Sequence, residues 1–320
     1  MHERRVRSDA RALVAVALTL LLAAHAGAQR PSRPAAGHAD TAALRRTLDS
    51  LAGAHHGVVG YAVRNLDTGE QLSRRGDETF PTASLIKVAI LVTVYDLVET
   101  KQISLDDPLT LLDVDKVGGS GVLQYIHGGT TLSVRDAAQL MTMVSDNTAT
   151  NLLLDRIAIR RVWAKMDSLG LKNTRVHHKV MLRTLTSVVP DSSNKYGLGK
   201  TTPNEMAQLF GFLAQGKAVS PRADSAMLAM LETNDDEQML QRYLEGIRAA
   251  HKTGADDEVR TECALFYLRS KVVACVLTKQ NVDQRWLIDN EPQLLLARMG
   301  AEIVRAWGPP DGGKVAVAAR

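Results

Sequence analysis

The stretch Ser84 to Lys101, SLIKVAILVTVYDLVETK, is apolar nearly all round a helix, which predicts a helix buried at the centre of the fold. It opens with Ser84 and Lys87, a hydroxyl and an amine that a helix brings to one face. Helical patterns continue after it, with capping boxes predicted at Ser133 to Asp136 and at Thr202 to Glu205, and another start at Ser220-Pro221. The middle of the chain is therefore predicted to be helical.

Strand-forming segments flank this helical middle on both sides. Before it, a helix over Thr41 to Ala54 leads into an extended run, Val58 to Asn65, and a turn at Asp67 to Gly69, which together predict a β-hairpin. After Gly246 come IRAAHKT, TECALFYL and KVVACVLT, and then a closing helix, Pro292 to Trp307. The pattern predicts an α/β (α+β) fold in which one mostly antiparallel sheet is built from both chain ends. We expect residues 41–80 plus 240–308 to form this sheet domain and residues 81–239 an inserted helical domain, with a cleft between them as the place for a site.

The N-terminus has the features of an export signal. Four arginines lie in the first eleven residues, an apolar run follows from Ala12 to Ala24, and Ala26-Gly27-Ala28 suits a signal peptidase. We predict a signal peptide over residues 1–28, a linker over 29–40, a loose tail over 309–320, and a secreted or periplasmic protein. The apolar run is short for a bilayer span, so no stable membrane segment is expected after cleavage.

Composition excludes several classes of protein. The 320 residues are 45% hydrophobic and 23% charged, which is typical of a globular chain and excludes disorder, collagen and coiled coil. The formal net charge is only +4. Because four arginines of the excess lie in the first eleven residues, we predict no nucleic-acid partner.

The two cysteines, Cys263 and Cys275, lie in neighbouring apolar runs. Two separate buried thiols are one interpretation, and an oxidising compartment also permits a disulfide. A two-residue turn at Arg269-Ser270 would pair position 263 with position 276 and place the two cysteine side chains on opposite faces of the sheet. This register favours separate thiols.

Three short motifs carry residues suited to nucleophilic chemistry. On the buried helix, burial and a nearby cation would lower the pKa of Lys87, so that it could take the proton of Ser84. A second serine–lysine pair, Ser192 and Lys195, lies in the polar stretch PDSSNKYG, where we expect no helix to align it. The Ser84 pair is distinguished by two motifs that follow it in order, Ser145-Asp146-Asn147 between two helices and Lys252-Thr253-Gly254 on a strand.

These motifs, their order and the text SDNTATNLLL resemble those of the penicillin-recognising serine enzymes, and most closely the class A β-lactamases. The resemblance covers most of the chain after the signal. It implies a β-lactamase/transpeptidase-like fold, with a five-stranded sheet beside an all-helical domain and the site between them.

The resemblance also implies the catalytic roles. Ser84 corresponds to the acylated nucleophile, Lys87 to its base, and Ser145 to the relay that protonates the departing nitrogen. The backbone N–H groups of Ser84 and Ala255 would form the oxyanion hole.

The substrate-binding roles follow in the same way. Asn147 would hold the amide of the substrate side chain. Lys252 and Thr253 would bind the carboxylate of a penicillin or a D-alanyl terminus, and Gly254 suits a strand that a substrate backbone approaches closely.

The sequence departs from the family pattern in the omega loop. That loop carries a glutamate for the deacylating water in the family, but no glutamate lies between Arg183 and Thr201 here. Asp191 is the only acid in this segment and so the one candidate there for a stand-in deacylation base, although its Pro-Asp-Ser setting is typical of a turn. Glu205 is expected to be engaged in its capping box. Deacylation is therefore predicted to be slow.

Three functions are compatible with these residues. The first is a serine hydrolase that opens β-lactams through an acyl-enzyme; the others are a D-alanyl peptidase or esterase acting on cell-wall peptides, and a non-enzymatic β-lactam or peptidoglycan sensor. No cofactor is predicted, and no metal, because adjacent His177 and His178 have no third ligand at suitable spacing. Arg260 could add charge for a substrate carboxylate, although its position favours a solvated strand end.

Overall fold

The computed structural model describes residues 38–316, and the predicted signal peptide lies outside them. The α-helices of this part are α1 (Thr41–Ala54), α2 (Lys87–Glu99), α3 (Val134–Met143), α4 (Asn147–Ile157), α5 (Ile159–Ser168), α6 (Arg183–Thr186), α7 (Pro190–Tyr196), α8 (Pro203–Gln215), α9 (Pro221–Leu231) and α10 (Glu291–Trp307). Short 3₁₀ turns span Ala83–Ile86, Asp113–Asp115 and Leu123–Tyr125. Within residues 38–316, no helix combines the length and the apolar character needed to cross a bilayer.

The strands are β1 (Val58–Asn65), β2 (Gln71–Arg74), β3 (Phe80–Pro81), β4 (Pro108–Thr110), β5 (Thr131–Ser133), β6 (Arg175–Val176), β7 (Gly199–Thr201), β8 (Leu244–Glu245), β9 (Ala249–Asp256), β10 (Val259–Tyr267), β11 (Lys271–Lys279) and β12 (Lys314–Val315). The main sheet has five strands in the order β2-β1-β11-β10-β9, and every neighbouring pair is antiparallel. This confirms the predicted five-stranded sheet made from both chain ends.

The main sheet is covered on both faces. On one face, α1 and α10 pack on a core that includes Tyr61, Phe266 and Trp307. On the other face lie the helices α2 to α5, α8 and α9, which share a larger core with Ala62 and Leu265 of the sheet. Two covered faces explain why β10 and β11 are buried along nearly their whole length, with no alternation of buried and exposed residues. Because the helices pack directly on the sheet, the division into a sheet domain and a helical domain stays a prediction.

Helix α2 lies inside the larger core, as its sequence predicts. From Lys87 to Val94 every residue is buried. The helix contacts α4, α5 and α9, and so it has no solvent face along this stretch. The only charged side chain buried in this stretch is Lys87, which marks the N-terminal end of α2 as the place where the core meets the site.

The prediction for the cysteines is wrong. Cys263 and Cys275 lie directly opposite each other in β10 and β11 and form a disulfide. The loop between these strands has three residues, Leu268 to Ser270, and not two. Because side chains alternate along a strand, this one extra residue brings both sulfurs to the same face.

Two other local expectations are wrong. Ser192 and Lys195 lie on a short helix, α7, which Pro190 begins at its first position. Part of the predicted loose tail is ordered, since β12 pairs with β8.

The predicted capping box at Thr202 is only half formed. The Thr202 side chain accepts from the Glu205 N–H, but the Glu205 carboxylate turns away and accepts from Asn173 and Thr174. Glu205 therefore links α8 to the turn before β6.

Candidate active site

Ser84 lies in the 3₁₀ turn that leads into α2. In 3₁₀ geometry, residues three apart are eclipsed, so the turn aligns Ser84 with Lys87 more closely than an α-helix would. The Lys87 N–H donates to the Ser84 carbonyl at the junction. Ser84 is half-buried, at the boundary between the core and the cleft.

Strand β9 packs directly against this turn. A Cβ atom on Gly254 would lie 2.3 Å from the Thr82 carbonyl oxygen and 2.7 Å from the Leu85 nitrogen, which is closer than atoms can approach. Only glycine fits at this position, because any side chain would collide with the backbone of the turn that carries Ser84. The close approach of a substrate, predicted from the sequence, would be a second reason. Thr261 reinforces the junction, since its hydroxyl donates to the Thr82 carbonyl.

Lys87 joins the buried helix to the Ser145-Asp146-Asn147 motif. Its Nζ donates to the Ser145 carbonyl at 2.7 Å and to Asn147 Oδ1 at 2.9 Å, and lies 3.1 Å from Ser145 Oγ. Burial, followed by the charge of Lys252, holds the pKa of Lys87 well below its usual value, and Asp146 opposes this shift. The result favours a neutral amine beside the Ser145 hydroxyl.

Asp146 holds the loop between α3 and α4 in shape. One carboxylate oxygen accepts from the N–H groups of Val122 and Leu123, and the other accepts from the Ala149 N–H as the cap of α4. Ser145 is left in the left-handed region, with φ of 54°, which a serine adopts only when its surroundings fix it. This backbone conformation presents both the carbonyl and the hydroxyl of Ser145 to Lys87.

Asn147 is buried behind the cavity. Its Oδ1 accepts from Lys87 and its Nδ2 donates to the Gly118 carbonyl. The side chain thereby connects Lys87 to the 118–121 loop. Within residues 38–316 the Nδ2 group has this one partner, so its second hydrogen could meet a substrate.

Lys252 is fully buried on β9, and its Nζ donates to the Thr253 carbonyl. Burial lowers its pKa to about 8, while Asp236, Glu262 and Asp235 act in the opposite direction. Near neutral pH the amine is mostly protonated and so can attract an anion.

The cavity beside these groups has a volume of about 190 Å³. Of the predicted site residues, Ser84, Ser145, Thr253, Gly254 and Ala255 line it. Lys87, Asn147 and Lys252 lie just behind this surface, each almost fully buried. The structure therefore brings the three sequence motifs together at one cleft.

Asp191 is not part of this cluster. It lies exposed in the first turn of α7 and does not line the cavity. Ser192, next to it, contacts a different partner, with its Oγ 3.0 Å from His177 Nε2. Arg260 is also not the predicted solvated strand end, because it is only 1% exposed.

A family model described as the β-lactamase enzyme family matches residues 43–307, which include all three motifs. The chain belongs to this family. Among its curated relatives, β-lactamase L2 of Stenotrophomonas maltophilia is 33% identical over 156 residues. That match covers 48% of this chain and spans about half of the relative's length.

Two solved structures match a larger part of the chain. A β-lactamase from Sphaerobacter thermophilus superposes with a TM-score of 0.74 at 29% identity, covering 85% of this chain and all of that one. A protein named PBP-A superposes with a TM-score of 0.72 at 26% identity, covering 82% of this chain and 95% of that one. The fold described above is therefore that of a penicillin-recognising serine hydrolase family.

Sequence reasoning missed several residues at this site. Asn151 follows Asn147 by four residues on α4, and this helical spacing could have indicated that both side chains share one face. Asp235, Asp236 and Trp286 also line the cavity. These three come from segments between regular elements, whose positions no local pattern predicts.

Proposed function

We propose that this family member is a serine hydrolase that opens β-lactams through an acyl-enzyme on Ser84. The observation that carries the proposal is the set of Lys87 contacts. A buried amine with a lowered pKa lies three residues from Ser84 on the 3₁₀ turn and 3.1 Å from the hydroxyl of Ser145.

Hydrogen-bond counting explains how Lys87 could move a proton. The Ser145 carbonyl and Asn147 Oδ1 can only accept, so a neutral amine gives them its two N–H groups. Its lone pair is then free for a hydroxyl proton. In the proposed step, the Ser84 oxygen bonds to the lactam carbonyl carbon and its proton passes to Lys87.

The second half of acylation breaks the lactam C–N bond. The proton on Lys87 passes through the Ser145 hydroxyl to the departing nitrogen, which completes the transfer without a charged leaving group. The N–H groups of Ser84 and Ala255 would hold the oxyanion that forms on the carbonyl oxygen. Contact of Gly254 with Thr82 and Leu85 supports this arrangement, because it fixes β9 against the turn that carries Ser84.

The substrate carboxylate would bind at Lys252 and Thr253. Thr253 lines the cavity, and the Lys252 ammonium supplies the charge behind it. Asn147 would contribute its free amide hydrogen to the acyl side of the substrate.

Deacylation, the step that completes turnover, is the one for which the site offers the fewest catalytic groups. The loop segment tied to α4 has an apolar side chain at Val180, and Asp191 lies exposed on α7 and does not line the cavity. A deacylating water would therefore have no base from this loop, and we propose that the acyl-enzyme accumulates. The related PBP-A supports the acylation half, since a variant of it forms an acyl-enzyme complex with penicillin G.

We further propose that the protein is exported. The basic and apolar pattern of residues 1–28 supports this, although it falls outside the described residues. The Cys263–Cys275 disulfide is independent support, because such bonds persist in oxidising compartments.

A chase experiment tests the proposed function. The protein is labelled with a fluorescent penicillin, excess label is removed, and the adduct mass is followed with time. Loss of the adduct at a measurable rate, with release of the hydrolysed product, supports a hydrolase with slow deacylation. Release only in the presence of D-alanyl peptides or esters would favour the peptidase, permanent retention would favour the sensor, and failure to label would reject all three.

A further inference from the structure

Trp286 is an exposed side chain that is nevertheless held in place. It lies between β11 and α10 and is 64% exposed. Its Nε1 donates to Asp257 Oδ1 at 2.9 Å, and the Arg260 guanidinium stacks on the ring, 4.5 Å from its centre. The indole is thus fixed at one edge and on one face while much of its surface meets solvent.

Arg260 acts as the support for this ring. It donates to the carbonyls of Asp256, Val259 and Arg285, so its guanidinium is held by backbone on three sides. Because backbone carbonyls hold the buried guanidinium in place, the position of Arg260 does not depend on a ligand at Trp286. The aromatic surface is therefore preorganised before any ligand arrives.

Trp286 stands where two cavities meet. The catalytic cavity and a second cavity of about 370 Å³ share Asp236, Ala255 and Trp286. Leu287 and Ile288, which are 54% and 67% exposed, continue the apolar surface along the second cavity. Three adjacent large apolar side chains left in solvent are uncommon in soluble proteins except where they bind something.

The position of the second cavity indicates which end of a substrate it would meet. Thr253 and Ala255, two residues apart on β9, both line the catalytic cavity, and Ala255 also lines the second cavity together with Arg260. The second cavity therefore opens on the side where the proposed function places the substrate carboxylate. In β-lactams and D-alanyl peptides, that carboxylate belongs to the leaving-group side of the scissile amide.

We propose that Trp286, Leu287 and Ile288 form an apolar subsite for an uncharged aromatic or aliphatic substituent on the leaving-group side of the substrate. The subsite rests on the proposed function for its orientation. The Asp236 carboxylate at its entrance disfavours a second anionic group there. In a cephalosporin, the substituent that would reach the subsite is the one at C3 of the carboxylate-bearing ring.

The test uses two cephalosporins that share one acyl side chain and carry at C3 either a methyl group or an aromatic vinyl group. Second-order rate constants of acylation are measured by intact mass for the parent, Trp286→Ala and Leu287→Ala. Val282→Ala is the matched control, because Val282 lies in the same segment, is 75% exposed and lines neither cavity.

Because Trp286 also lines the catalytic cavity, the expected effect is a difference between the compounds: Trp286→Ala should slow acylation by the aromatic compound about tenfold more than acylation by the methyl compound. Leu287→Ala should show the same preference to a smaller extent, and Val282→Ala should change neither rate. Intrinsic differences in reactivity cancel, because each compound is compared with itself. Equal slowing of both compounds, or no slowing of either, would overturn the subsite.

Failure of the proposed function is distinguishable from failure of the subsite. If neither compound acylates the parent, the proposed function is rejected and the same pair is used as non-covalent ligands of the intact protein. Quenching of tryptophan emission in the parent, and its loss in Trp286→Phe, then reports occupancy of the subsite. Tighter binding of the aromatic compound retains the subsite, and equal binding of both compounds rejects it.

Discussion

Asn151 holds both backbone groups of Val180: its Oδ1 accepts from the Val180 N–H at 2.7 Å, and its Nδ2 donates to the Val180 carbonyl at 3.1 Å. Asn151 lies one helical turn after Asn147, whose Oδ1 accepts from Lys87. Val180 is therefore anchored one turn along α4 from the residue that contacts Lys87. An apolar residue at this anchored position is a structural reason to expect slow deacylation.

Val180→Glu should accelerate deacylation. A carboxylate at this position would lie beside the site, where it could activate a water, and a positioned base contributes about 10² to 10⁴-fold. The rate is measured from the loss of the penicillin adduct by mass. Val180→Gln is the matched control, since it has similar size but no base, and Asp191→Asn should leave the rate unchanged. A rate that is the same in Val180→Glu and Val180→Gln, or that falls in Asp191→Asn, would contradict this view of the loop.

Lys87→Met should slow acylation by about 10²-fold or more, the usual contribution of a general base. Methionine keeps the length and the packing of the side chain but has no lone pair of comparable basicity. Stopped-flow labelling with a fluorescent penicillin measures the rate. Lys195→Met, in the second serine–lysine pair, is the control and should acylate at the parental rate. Parental acylation by Lys87→Met would exclude Lys87 as the base.

Acylation should weaken above about pH 8, because burial lowers the pKa of Lys252 to about 8. Below that pH the ammonium attracts the substrate carboxylate, and above it the amine is neutral and this attraction is lost. The apparent kcat/KM for acylation should therefore fall on the alkaline side with a midpoint near the pKa. Lys252→Arg keeps its charge throughout and should remove this limb. An unchanged alkaline limb in Lys252→Arg would assign it to another group.

The disulfide should contribute to stability. Cys263 and Cys275 are 12 residues apart, and closing a loop of this length in the unfolded chain is worth about 3 kcal/mol. The double variant Cys263→Ala with Cys275→Ala should lower the free energy of unfolding in urea by about this amount. Unfolding of the parent under reducing conditions provides a comparison without substitution. A loss of less than about 0.5 kcal/mol in both measurements would show that the bond adds little.

The sequence was sufficient for features that depend on local pattern. The apolar surface of α2 and the Ser133 cap are encoded within one or two helical turns, and each of the three motifs within three or four residues. The structure confirms the helices α2, α3 and α4 and the strand β9 that carry or flank them. The resemblance supplied the five-stranded sheet. Residue roles at the site stay predictions, although the motifs meet at one cleft.

Features that depend on contacts between distant segments were not predictable in this way. The pairing of the two cysteines depends on one extra residue in the loop before Lys271. A shift of one residue in the register moves every side chain of a strand to the opposite face. Arg260 looked solvated because the Trp286 ring and the Arg285 carbonyl that it contacts lie in the distant segment between β11 and α10. The anchoring of Val180 and the position of Trp286 likewise depend on how loops dock.

The central claim, acylation of Ser84, is tested most directly by intact-mass labelling with penicillin in two serine variants. Ser84→Ala should show no covalent adduct, whereas Ser192→Ala should gain one penicilloyl mass at the parental rate. The comparison is matched, because both serines precede a lysine by three residues and both lie on helical turns. An adduct that persists in Ser84→Ala, or one that disappears in Ser192→Ala, would contradict the account.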